Sequence, residues 1–105
     1  MIDEISVDEL ERRHAAEEAF ALLDVREPDE LATASIAWAI AIPMGEIPAR
    51  MRELPRDTQI VCMCHHGSRS ERVAEFLAAN GYDAVNLTGG IDAWSRAIDS
   101  DVPRY

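Results

Sequence analysis

Thr58-Gln-Ile-Val-Cys-Met-Cys-His-His-Gly-Ser-Arg-Ser-Glu-Arg-Val-Ala-Glu-Phe-Leu-Ala-Ala-Asn80 reads as a strand, a short loop and a helix. Ile60, Val61, Cys62 and Met63 form an unbroken apolar run, the pattern of a strand covered on both faces. Ser70 suits the N-cap of a helix, and Val73, Phe76 and Leu77 follow at helical spacing. Asn80-Gly81 ends that helix, since glycine accepts a left-handed backbone. Cys64, His65, His66, Gly67, Ser68 and Arg69 fill the loop between strand and helix. Backbone N–H groups converge in such a loop, and the helix dipole adds partial positive charge. Both favour a thiolate at Cys64 and an anion beside it.

The chain of 105 residues fits one domain, expected to span 1–105, with a packed core from about 5 to 98 and a loose polar tail from 99 to 105. A chain of this length buries roughly 60–70% of the surface it exposes when unfolded, enough for a core without staples. No apolar run approaches the ~20 residues of a membrane span, and the start lacks the basic and apolar regions of a signal peptide. A cytoplasmic protein is expected. Cys62 and Cys64 are too close to staple distant segments and suit a reducing compartment. The net charge of −10 argues against nucleic acid and anionic membrane as partners. The cysteine loop is a local exception: from Cys64 to Arg72 only Glu71 is acidic, against Arg69, Arg72 and two histidines.

The rest of the chain alternates helix and strand. Ser6-Val-Asp-Glu9 is a capping box, predicting a helix over about Val7–Ala19. Phe20 to Val25 reads as a buried strand, followed by a short helix from Pro28 through Leu31. Ala39 to Ile42 reads as a strand, Gly45 to Leu54 as a helix, and Tyr82 to Leu87 as a strand. Gly89-Gly90 reads as a tight turn and Ile91 to Ile98 as the last helix. This order predicts an α/β fold: a small parallel sheet with helices on both faces. Ligands bind such sheets beyond the carboxyl ends of the strands, where Cys64, Asp24 and Gly89-Gly90 all fall.

Asp24-Val-Arg-Glu-Pro28, Ile42-Pro43, Cys64-His-His-Gly-Ser-Arg-Ser70 and Leu87-Thr-Gly-Gly-Ile-Asp-Ala-Trp94 occur in one order and spacing. Together they resemble a single-domain rhodanese, a sulfurtransferase, from about Ile5 to Trp94. The resemblance implies that Cys64 is the sulfur-carrying nucleophile. It also implies that His65, His66, Gly67, Ser68, Arg69 and Ser70 form the loop whose amides surround the terminal sulfur. The family's Gly-His-Ile-Pro-Gly-Ala and the Asn before Ile-Pro are replaced here. Ser35, Ala37, Trp38 and Ala41 stand at four of those places, so Trp38 is expected to reshape an entrance to the site.

The expected chemistry has two half-reactions: Cys64 takes sulfur from a small anionic donor such as thiosulfate, then passes it to cyanide or a thiol. Thioredoxin and glutathione are candidate thiol acceptors. A free cysteine ionises near about 8.5, so the loop amides, the helix N-terminus, Arg69 and a protonated His65 or His66 are expected to lower that value. Arg69 is the side chain expected to meet an anionic donor, with a surface ion pair as its alternative. Cys62 lies two residues back on the same face and is expected to be core. Asp24 and Arg26 either orient the loop or pair locally. Trp94 is expected to pack the last helix onto the sheet. Neither cofactor nor metal is expected, and a monomer suffices. The rival classes each lack something. Cell-cycle phosphatases and arsenate reductases need Cys-x5-Arg, and this chain has Cys-x4-Arg. A non-catalytic binding module would not need Cys64. A metal site would need a spacing other than Cys62-Met-Cys64-His65-His66.

Overall fold

The computed structural model of the protein describes residues 2–105; Met1, where the expected domain begins, lies outside the described residues. Five strands form one parallel sheet: β1 (Glu4–Ile5), β2 (Phe20–Asp24), β3 (Ile40–Ala41), β4 (Gln59–Met63) and β5 (Ala84–Leu87). Their spatial order is β1-β5-β4-β2-β3, which puts β4 at the centre. The helices are α1 (Val7–Ala15), α2 (Pro28–Thr33), α3 (Ile47–Arg50), α4 (Ser68–Ala79) and α5 (Gly90–Ala97). The alternation predicted this α/β architecture.

A central strand has no solvent face, and β4 is apolar on both sides for that reason. Ile60, Cys62 and Cys64 point to one side, where they pack with Leu23, Val73, Ala74 and Leu77. Val61 and Met63 point to the other, with Leu22, Leu87, Ile91 and Trp94. Cys62 is opposite Leu23 on β2 and Asn86 on β5. That register brings Asp24, Cys64 and the start of α5 to one edge of the sheet, beyond the strand ends.

Several boundaries differ from expectation, each for a local reason. The first helix stops at Ala15 rather than Ala19, because the amides of residues 16–18 fold back on Arg12, His14 and Arg13 carbonyls and Glu17 turns left-handed (φ 55°). Gly45–Leu54 is not one helix: Pro48 has no N–H to give to Met44, so single 3₁₀ turns (Met44–Glu46 and Met51–Glu53) flank a four-residue α3. Ser70 does not cap α4. Gly67 takes that place with φ 121°, and Ser70 lies inside the first turn with its hydroxyl turned to Cys64. The strand β1 is too short to show a period. Trp38 does not reshape an entrance: it stacks on His14, with Phe20 and Trp94 edge-on, and so lies towards the amino end of β2.

The segment expected to be a loose tail is packed. Val102 is buried against the core that holds Trp94 and Ile91. Its carbonyl accepts the buried hydroxyl of Ser95, and its amide donates to Asp99 O. Tyr105 then returns to the strand-end edge, with its ring stacked on His65 at 3.9 Å. Removing residues 102–105 is expected to cost at least about 2 kcal/mol, from one buried valine and one buried hydrogen bond before the contacts of Tyr105 are added, read as a lower urea midpoint. A midpoint equal to that of the full chain would contradict the packing.

Candidate functional site

Cys64 directly follows β4 and is 1% exposed. Burial on its own would push a thiol towards its neutral form. Here burial is the largest influence and raises the Cys64 pKa, but it is outweighed by the Ser70 hydroxyl and the amides of Ser70, Gly67 and Arg69, which leave Cys64 below the ordinary range. The Gly67 N–H donates to Cys64 Sγ at 3.1 Å, and Ser70 Oγ lies 3.3 Å from the same sulfur. Cys62, two residues back, has none of this. Burial first, and then the charge of Cys64, push its thiol up to about 12. Two buried cysteines two residues apart therefore have opposite character, and only the second suits a thiolate.

The loop is held open to the sulfur by what happens to its carbonyls. The first amides of α5 take two of them: Ile91 N–H donates to Cys64 O at 2.9 Å, and Asp92 N–H to His65 O at 3.1 Å. A Cβ on Gly90 would sit 2.4 Å from Cys64 O and 2.5 Å from His65 O, so the helix docks only because residue 90 is glycine. The Gly67 carbonyl is taken by Asn86 Nδ2 at 3.0 Å and by the Glu71 amide. Asn86 Oδ1 lies 2.6 Å from Ser70 Oγ and shares with Cys64 Sγ the single proton of that hydroxyl. Asn86 is buried, and sequence reasoning missed it. The available signal was an amide side chain inside the apolar run Ala-Val-Asn-Leu.

Asp24 and Arg26 pair with each other. Arg26 Nη2 meets Asp24 Oδ2 at 2.6 Å, and Arg26 Nε meets Oδ1 at 2.9 Å, both side chains being buried. Losing one partner of such a buried pair costs about 3–5 kcal/mol. Arg26 also donates to the carbonyl of Ala34 and to the Tyr105 hydroxyl. Through these bonds and one to the Glu30 carbonyl, Arg26 ties α2 and the final residue to the end of β2.

Arg69 meets Glu30 of α2 in a two-pronged ion pair, Nη1 to Oε1 at 2.7 Å and Nη2 to Oε2 at 2.9 Å. Glu30 also accepts the Glu27 amide at 3.0 Å and the Tyr105 hydroxyl at 2.8 Å. The Arg69 bond is the largest influence, and together they hold the Glu30 carboxyl at about 2. Neither Glu30 nor Tyr105 announces a site role in the sequence, because each reaches the loop from a distant segment.

His65 lies between Tyr105 and the ring of His66, 3.9 Å from each. Burial, and then His66, lower its pKa, so His65 is neutral at neutral pH and lends Cys64 no positive charge. His66 Nε2 and Asp92 are 3.9 Å apart on the exposed side. His65, His66 and Asp92 bring one ligand atom each within 4.8 Å of the others. Asp92 is already held by Arg104 and Arg96, however, and these cations oppose a metal ion there. Among the described residues, no such cluster includes Cys62 or Cys64.

The arrangement is a sulfur at the bottom of an amide-lined loop, at the carboxyl edge of a parallel sheet. Residues 6–97 match the rhodanese-like domain family, and the chain belongs to that family. It is similar to a protein named sulfurtransferase from Allochromatium vinosum, with 42% identity over 97 residues and 91% of each chain covered. It is also similar to solved structures of a rhodanese-like domain protein from Staphylococcus aureus (34% identity, TM-score 0.87, 99% of each chain) and a rhodanese-related protein from Thermoplasma volcanium. The latter shows 37% identity and a TM-score of 0.82 over 96% of this chain and 95% of that one.

The two thiols are expected to separate in alkylation. Cys64 should react with iodoacetamide below the pH at which an ordinary thiol does, and Cys62 should stay unreacted to pH 10. Replacing Ser70 by Ala removes a donor that favours the thiolate, so the Cys64 profile should move to higher pH. A profile unmoved in Ser70→Ala would mean that the hydroxyl does not act on the sulfur.

Proposed function

We propose that the protein is a sulfurtransferase that carries sulfane sulfur as a persulfide on Cys64. The observation that carries this reading is the ring of donors on a nearly buried Cys64 sulfur, with Gly67 N–H at 3.1 Å and the Ser70 hydroxyl at 3.3 Å. In the first half-reaction the thiolate attacks the outer sulfur of a donor. With thiosulfate, the S–S bond to the sulfonate breaks, sulfite leaves with the electron pair, and Cys64–S–S⁻ remains. In the second, an acceptor attacks the terminal sulfur. Cyanide becomes thiocyanate, or a thiolate becomes a persulfide, and the Cys64 thiolate is restored. No net oxidation or reduction occurs.

The loop serves both states. Its amides stabilise the attacking thiolate first, and the same donors and the N-terminus of α4 face the negative charge that moves to the terminal sulfur. A sulfur this deeply set favours a donor that presents one terminal atom over a tetrahedral centre. Four residues between Cys64 and Arg69 fit the same requirement. A thiol such as glutathione or thioredoxin is the acceptor this reading assigns in a reducing compartment, in keeping with two free cysteines. No helix among the described residues is long and apolar enough to cross a membrane.

Sulfur transfer from thiosulfate and from glutathione persulfide tests the reading, with Cys64→Ser and Cys62→Ser beside the native chain. Cys64→Ser should lose at least 10³-fold in turnover while keeping its circular dichroism spectrum, and Cys62→Ser should keep turnover within about threefold. Equal turnover in Cys64→Ser would overturn the mechanism. No transfer from either donor in the native chain would make the protein a binding module.

A further inference from the structure

Arg69 is the cation nearest the sulfur in sequence, and its charge and that of Cys64 bear on one another. Both outer nitrogens of its guanidinium are already engaged by Glu30. Glu30 does not swing freely. Its carboxylate takes four donors in all: two nitrogens of Arg69, the Glu27 amide and the Tyr105 hydroxyl. Its backbone carbonyl is held by Arg26, which is itself buried against Asp24. An anionic donor seeking Arg69 therefore meets a guanidinium whose charge is already shared with a carboxylate that the fold holds from three directions.

The other charges at this edge do not replace Arg69. Asp92 is shared by Arg96 and Arg104. Arg72 is exposed and has no carboxylate within ion-pair distance among the described residues, and a single exposed charge attracts an anion by about 1 kcal/mol or less. Beside the pair, a groove of about 220 Å³ opens between Ser68, Arg69 and Arg72, large enough for an organic substituent.

We infer that Glu30 sets donor specificity, by occupying Arg69 and so disfavouring small dianions such as thiosulfate relative to organic persulfides. The inference rests on the sulfurtransferase reading and names its donor class. With a persulfide donor RSSH, the Cys64 thiolate attacks the terminal sulfur, the RS–S bond breaks, RS⁻ leaves, and Cys64–SSH forms. No guanidinium is needed to hold a sulfonate. With thiosulfate, a doubly charged donor meets a rim whose nearest cation is already neutralised.

The test is the second-order rate of sulfur loading on the full chain, followed by intact mass, with thiosulfate and with glutathione persulfide. The quantity read is the ratio of the two rates. Glu30→Gln keeps the shape, can accept at one of its two positions only and loses the charge, and should shift the ratio at least tenfold towards thiosulfate. Glu30→Asp keeps the charge and should keep the native ratio. Arg69→Gln leaves Glu30 unpaired and should shift the ratio the other way. A merely structural role would slow both donors together and leave the ratio alone. A ratio within twofold of native in a folded Glu30→Gln overturns the inference while the persulfide reading stands. No loading from either donor in the native chain overturns both.

Discussion

The Cys64 sulfur is almost wholly out of solvent, and a buried thiolate is costly unless donors replace the water it has lost. Much of the structure around it meets that requirement. The amide of Gly67 reaches the sulfur directly, the hydroxyl of Ser70 stands on another side, and the amides of Ser70 and Arg69 open the helix above it. Cys62 serves as an internal control. It lies two residues earlier and is also buried, but it takes no donor among the described residues, and its thiol is pushed up to about 12. Burial raises both thiols, and only at Cys64 do local donors outweigh it.

A loop presents its N–H groups inward only if its carbonyls are engaged elsewhere. The amino end of α5 holds the carbonyls of Cys64 and His65, and Asn86 holds that of Gly67. Two glycines make this possible for different reasons. Gly67 has room for a side chain but a backbone angle of 121° that side chains resist. Gly90 has no room, because a Cβ would stand 2.4 Å from a carbonyl oxygen. The last strand and last helix are thus part of the site, although neither supplies a group that touches the sulfur.

This division explains what could be read in advance. The sheet, its parallel order and the position of Cys64 follow from short-range patterns: an unbroken apolar run for a central strand, helical spacing after it, and glycines at the turns. The cysteine loop and the pair of Asp24 with Arg26 are each contained within a few consecutive residues, so the chemistry of each is visible as a motif. Glu30 and Asn86 act on the loop across 39 and 19 residues, through Arg69 and Gly67, and Tyr105 stacks on His65 from the last position of the chain. No periodicity encodes such contacts. Ser70 was misread for a related reason. Its residue type suits a cap, but Gly67 had already begun the helix, which freed the hydroxyl for the sulfur. The final segment looked loose because Val102 is its one aliphatic anchor, and a single apolar residue has no period to read.

The central claim is that one particular sulfur of two carries the transferred atom. Fragment-ion mass mapping of the chain after treatment with a sulfane donor tests this most directly, since Cys62 and Cys64 are separated by one methionine. The account predicts one added sulfur atom, located on Cys64 and removed by cyanide. Added sulfur located on Cys62, or sulfur that cyanide leaves in place, would contradict it.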